Sequence, residues 1–246
     1  MCKTIIVLDW DGTLCPTPQL KSILKRVRQR RNPEIHQRIH MFLDNTSQWL
    51  ASLFDFIESN QMSGCIVTDS PHRWVHCVCK FLFPRLLPYL TSDRINVCHT
   101  TDMRNQLSGL SPVERLCNSK LPTFSSILKD EDLVDSQGVK PRLISIGDSV
   151  MEHLAASECL KLGLVSQIRI VKFQTKLSLQ TWQDQIVHLE ALLKTFKDSD
   201  SSMSTSHRWS KDTGSWVCEQ ALPKMGRFHS PTRNPTRANQ TMSCET

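Results

Sequence analysis

Residues 4–14 read TIIVLDWDGTL, an unbroken apolar run from Ile5 to Leu8 that ends on an acid. Four consecutive apolar residues, most of them β-branched, suit a strand buried on both faces, the habit of central strands in parallel sheets. Asp9 and Asp11 leave that strand at a spacing of two, and Gly12 lets the backbone turn sharply behind them. Working outward, similar runs recur. Cys65-Ile66-Val67 reads as a second short strand that stops at Thr68-Asp69-Ser70-Pro71. Residues 94–99 read as a third. Residues 143–146 read as a fourth, ending at Gly147-Asp148-Ser149, and residues 167–173 as a fifth.

Helical patterns separate these strands. Residues 19–31 contain no Gly or Pro, and Leu20, Ile23, Leu24 and Val27 recur at helical spacing. Asn32-Pro33 breaks that helix, and a longer one is expected from about residue 34 to 59. Residues 74–90 read as helical with interruptions at Pro84 and Pro88. Residues 119–128 form another helix, with Ser119 as N-cap and Pro122 tolerated in the first turn. One more starts near Ser149, and residues 178–196 close the series. Strands alternating with helices predict an α/β fold, a Rossmann-like and mainly parallel sheet with helices on both faces. Ligands bind such sheets at the carboxyl ends of the strands. Three strands end in polar clusters, at Asp9–Thr13, Thr68–Ser70 and Gly147–Ser149, which are expected to converge on one crevice.

Composition bounds the rest. The chain has 246 residues, a length that corresponds to between one and two domains. The folded body is expected over residues 1–196, with residues 15–62 as a two-helix segment. Residues 197–246, with nine serines and three prolines, are expected to be a disordered tail. No apolar run approaches the ~20 residues that a membrane helix needs. The opening MCKTIIVLDWDG lacks the order of a signal peptide, so secretion is not expected. Ten cysteines occur without a CxxC pair. They read as reduced, packed thiols of a cytoplasmic or nuclear protein, not as a disulfide framework or a zinc site. The net charge of +6 (30 − 24) is clumped, with Lys25, Arg26, Arg28, Arg30 and Arg31 inside seven residues. That run is a solvated helix face or a contact for a polyanion, and it lacks the interleaved aromatics that stack nucleic-acid bases.

The acids carry the chemistry. Asp148 and Glu152 lie four apart at a helix start and so share one helix face. Four carboxylates, Asp9, Asp11, Asp148 and Glu152, aimed at one crevice repel each other unless a cation lies among them. Hard oxygen donors suit Mg²⁺. The plainer alternative is that these acids are helix caps and turn residues.

Asp9-Trp10-Asp11-Gly12-Thr13-Leu14 after a buried strand resembles the first motif of the haloacid dehalogenase-like superfamily. Ile144-Ser145-Ile146-Gly147-Asp148-Ser149 followed by Glu152 resembles the fourth motif. Val67-Thr68 resembles the second, and Lys120, 28 residues before Asp148, matches the third-motif lysine. The resemblance spans roughly residues 3–175. More narrowly, DWDGTLxPT, TDSPxRWV and ISIGDSxxE are similar to a group of haloacid dehalogenase-like proteins of microbial eukaryotes.

The resemblance implies a Mg²⁺-dependent phosphatase that works through an aspartyl-phosphate on a phosphomonoester. Asp9 would be the nucleophile and a metal ligand. Asp11 would protonate the leaving group, then activate water, and lend its backbone carbonyl to the metal. Thr68 would bond the phosphoryl oxygens, and Lys120 would neutralise charge. Asp148 would ligate Mg²⁺, with Glu152 acting directly or through water. Gly12, Thr13, Thr68, Asp69 and Lys120 make up the implied phosphate-binding set.

Two departures stand out. The second motif often reads Thr-Asn, whereas Thr68 is followed here by Asp69, whose charge beside a phosphate needs a partner such as His72 or Arg73. Lys129 and Lys140 compete with Lys120, but each lies at a poor place along its element. Asp9 and Thr68 are 59 residues apart, which leaves room for no more than a small helical cap. An open site favours a bulky substrate. The competing reading is a catalytically weak or inactive module of the same fold that binds an anionic or protein partner.

Overall fold

The computed structural model describes residues 3–21, 33–91, 94–100, 120–129, 138–174, 178–199 and 204–219. Seven strands form one sheet, in the order β3-β2-β1-β4-β5-β6-β7. They are β1 (Thr4–Asp9), β2 (Ser63–Thr68), β3 (Asn96–His99), β4 (Arg142–Gly147), β5 (Gln167–Lys172), β6 (Thr205–Ser210) and β7 (Ser215–Glu219). All neighbours pair in parallel except β6 with β7. The helices are α1 (Pro33–Ser59), α2 (His72–Phe81), α3 (Leu87–Thr91), α4 (Lys120–Leu128), α5 (Val150–Lys161) and α6 (Leu179–Asp198). The chain is therefore a Rossmann-like α/β protein. Among the described residues no helix is long and apolar enough to cross a membrane.

The continuous apolar run of β1 is explained by its central place. Ile6 and Leu8 point into one core with Leu53, Phe54 and Ile57 of α1, Val75 and Val78 of α2, and Leu189 and Leu193 of α6. Ile5 and Val7 point into a second core with Phe124 and Leu128 of α4 and Ala155, Ala156 and Cys159 of α5. Helices thus cover both faces, and a strand between two cores has no polar side to show.

The expected boundaries shift by a residue or two at most strands and helices. The segment breaks into α2, a short 3-10 turn at Pro84–Leu86 and α3; Pro84 opens the 3-10 turn as expected, whereas Pro88 does not interrupt but lies in the first turn of α3. Proline at the first turn of a helix loses no backbone bond. The helix expected at residues 19–31 is described only at residues 17–21, and Ser119 lies outside the described residues.

Two expectations are corrected. The second helix of the 15–62 segment is no cap, because α1 lays Leu50, Leu53, Phe54 and Ile57 into the main core and packs along α6. Gln183 Nε2 donates to the buried Thr46 Oγ1 at 2.9 Å across that contact. The folded body also does not stop at residue 196. α6 runs to Asp198, and residues 205–219 form a hairpin that extends the sheet beyond β5. Its first strand, β6, alternates: His207 and Trp209 are buried while Arg208 is exposed. β6 buries residues on one face only, as a strand of a sheet with one solvated face does, so a serine-rich composition hid a period of two. The remainder of the tail, residues 220–246, lies outside the described residues.

Candidate active site

β1, β2 and β4 lie side by side, so their carboxyl ends bring Asp9, Thr68 and Asp148 to one rim. Asp9 is the last residue of β1 and is buried. Gly12 has φ +83°, and a Cβ there would collide with the Asp148 carboxylate. The glycine therefore lets the loop after β1 press against the acid after β4. A Cβ on Gly147 would lie 2.7 Å from Glu152 Cγ, so this glycine leaves room for Glu152 to fold back over the end of β4.

Lys120 opens α4 and reaches the same point from the second helical layer. Its Nζ donates to Asp9 Oδ1 at 2.8 Å and to the Val67 carbonyl at 3.0 Å, and pairs with Glu152 Oε1 at 3.1 Å. The lysine is 3% exposed, so solvent screens none of these contacts appreciably. Of the three candidate lysines, Lys120 is the one in the cluster. Lys129 is exposed beyond the end of α4, and Lys140 lies near Gly163.

Asp11 is held by hydroxyls. Its Oδ1 accepts from Thr17 at 2.7 Å, and its Oδ2 accepts from Ser70 at 2.5 Å and Thr68 at 3.4 Å. Ser70 is steadied in turn. Its amide donates to Thr68 Oγ1 at 2.9 Å, and its carbonyl accepts from His99 Nδ1 at 2.8 Å. Thr13 is buried, with Oγ1 3.5 Å from Asp9 Oδ2, and its carbonyl accepts from Trp182 Nε1 of α6 at 2.7 Å. Asp69 bonds Thr100, just past β3, and not His72 or Arg73. This neutral partner ties it to the neighbouring strand while its charge still acts on Lys120.

The charges are unbalanced. Burial pushes Asp9 up to about 8, against the pull of Lys120 and with help from Glu152 and Asp148. Burial, then Glu152, pushes Asp148 up to about 6. Burial would lower Lys120, but Asp9 and Glu152 outweigh it and hold the ammonium above its usual range. Burial would raise Glu152, but Lys120 and the Ser149 hydroxyl hold it below the usual carboxylate range.

The expected set of four metal-binding side chains is not assembled. Among the described residues no three His, Cys, Asp or Glu side chains gather closely enough to hold an ion. Asp11 is turned to its hydroxyls. Glu152 is spent on Lys120 and on a capping box with Ser149, whose amide donates to Oε2 at 3.2 Å and whose hydroxyl bonds the same oxygen. The plainer reading of Glu152, a helix cap, holds. Asp9 and Asp148 remain. Both are hard oxygen donors held above their ordinary range at one rim, which fits a divalent cation bound by few protein side chains.

Sequence gives Thr17 no place in the site, and it brings in Ser70 and Ser149 only as members of the clusters at the strand ends, without a role. Each falls inside or next to a motif, but hydroxyls are common there, and only the fold shows which reach a carboxylate. The basic run Lys25–Arg31 lies outside the described residues. Fold and site together define a Rossmann-like α/β protein with a carboxylate–lysine cluster at the carboxyl ends of its central strands. No family model, curated protein or solved structure matches the chain.

Proposed function

We propose that this protein is a Mg²⁺-dependent phosphatase of the haloacid dehalogenase-like type, acting on a phosphomonoester. The observation that carries this reading is the Lys120 ammonium, bound to Asp9 from a position 111 residues away in the chain. Phosphoryl transfer depends mainly on positioning and on neutralising charge, and a buried lysine beside a carboxylate supplies both.

Asp9 attacks phosphorus with its Oδ2, since Oδ1 is engaged by Lys120. The bond to the leaving oxygen breaks, and Asp11 gives that oxygen a proton. An aspartyl-phosphate results. Water then attacks the phosphorus, Asp11 takes its proton, and the Asp9 carboxylate leaves. Thr17 and Ser70 keep Asp11 aimed, and the Thr68 hydroxyl, which here donates to Asp11, would turn to a phosphoryl oxygen when substrate binds. Asp9, Asp148 and the Asp11 carbonyl would hold Mg²⁺, which offsets the negative charge of the phosphate. The described cysteines are free thiols, which fits a reducing compartment, cytoplasm or nucleus.

The test is turnover of a panel of phosphomonoesters, including a phosphopeptide and a 5′-phosphorylated oligonucleotide, with and without Mg²⁺. Wild-type turnover of at least one substrate is expected to require Mg²⁺ and to fall by about three orders of magnitude or more in Asp9→Asn. Equal rates for the two proteins on every substrate would overturn the proposal.

A further inference from the structure

We infer that a second anion site lies at the opposite end of the sheet, a pocket for a small polyanion of the polyphosphate class. It lies between the amino ends of β1, β4 and β5 and the carboxyl ends of α1 and α6. Five strand steps of ~3.3 Å separate it from the acid cluster, roughly 17 Å. This inference does not rest on the phosphatase reading.

The cavity has a volume of about 430 Å³ and is lined by Lys3, Arg142, Arg169 and Lys197, with no acidic side chain among its described lining residues. Strand register brings the arginines together. Arg142 pairs with Gln167, and Arg169 stands two residues farther along the neighbouring strand, on the same face. Arg169 is 8% exposed. Its guanidinium lies 4.9 Å over the Phe196 ring and donates to Ser199 Oγ at 3.3 Å and Thr205 Oγ1 at 3.4 Å, so it is held in one orientation. Lys197 Nζ is oriented by Asn60 Oδ1 at 2.5 Å.

Burial, then the charge of Arg142, pushes the Arg169 guanidinium below its usual range. Lys3 and Lys197 are exposed, but Arg142 and the buried Arg169 oppose each other, and an anion bound between them relieves that opposition. The planar guanidinium fork suits phosphate oxygens in pairs. The volume falls in the ~300–1,000 Å³ range of small-molecule pockets. A concave pocket favours a compact ligand over the open groove that tracks a nucleic-acid backbone.

The test is calorimetric titration of the full chain with inorganic tripolyphosphate, in EDTA so that no divalent cation loads the acid cluster. Saturable binding is expected, weakening as salt rises, and the Asp9→Asn variant should bind as wild type does. Arg142→Gln combined with Lys197→Gln should weaken binding by about tenfold or more, equivalent to about 1.4 kcal/mol, with an unchanged circular dichroism spectrum. Arg169→Lys, which keeps the charge but loses the fork, should weaken it as well. Absence of binding, equal binding by wild type and the double variant, or saturable binding of an oligonucleotide alone would overturn the inference.

Discussion

Removing the Lys120 ammonium leaves Asp9 and Glu152 as buried carboxylates with no counter-charge. Breaking a buried ion pair from one side costs far more than removing it whole. Lys120→Met is expected to lower stability by about 3 kcal/mol in urea titrations at pH 8. The loss should be smaller at pH 5. Without the lysine both carboxyls hold their protons to higher pH in the folded protein than in the unfolded chain, so stability falls as pH rises. Adding Glu152→Gln should recover part of the loss, and no recovery would mean that Lys120 does not balance Glu152. Gly12→Ala faces a different obstacle, a φ of +83° and a collision with Asp148. It is expected to cost more than ~1 kcal/mol, read as a lower melting temperature. The residue types of this site were legible in the sequence, since acids and glycines after buried strands are conspicuous. The hydroxyls of Thr17 and Ser70 were not, because nothing in their spacing says which carboxylate they meet.

Among the elements, the β6–β7 hairpin has the most to lose. Trp209 is 2% exposed and packs edge-on to Trp216, with ring centroids 5.4 Å apart, while Trp216 lies 5.3 Å from Phe173. Trp209→Ala is expected to cost about 3–5 kcal/mol, measured by urea unfolding, because the cavity opens between the hairpin and the body. A cost below about 1 kcal/mol would show that the hairpin is loosely attached. β1, β2 and β4 were readable to within a residue or two because strands buried on both faces leave unbroken apolar runs. The hairpin was unreadable for the opposite reason: only alternate residues of β6 are buried, and Ser206, Arg208 and Ser210 fill the gaps. The 15–62 segment misled differently, since an amphipathic helix looks the same whether it caps a site or covers a sheet.

In the whole molecule, four distant stretches of chain meet at one rim, and their charges couple. In the proposed enzyme, Mg²⁺ must displace protons from Asp9, held up to about 8, and from Asp148, held up to about 6. Both groups bind metal only when ionised, so apparent affinity should rise with pH between about 6 and about 8 and level off above. At pH 7 the displaced proton should come chiefly from Asp9. Calorimetry in two buffers of different ionisation enthalpy would read that release, and a pH-independent affinity would contradict it. The linear order of residues was enough to specify the α/β class, the central strands and the acids at their ends, because burial on two faces and sharp turns are local demands written in consecutive residues. Which lysine joins the acids, which carboxylates are committed to hydroxyls or a helix cap, and that four cations share a cavity at the far rim follow from strand order and register. These are long-range pairings, and they set distances that no local pattern encodes.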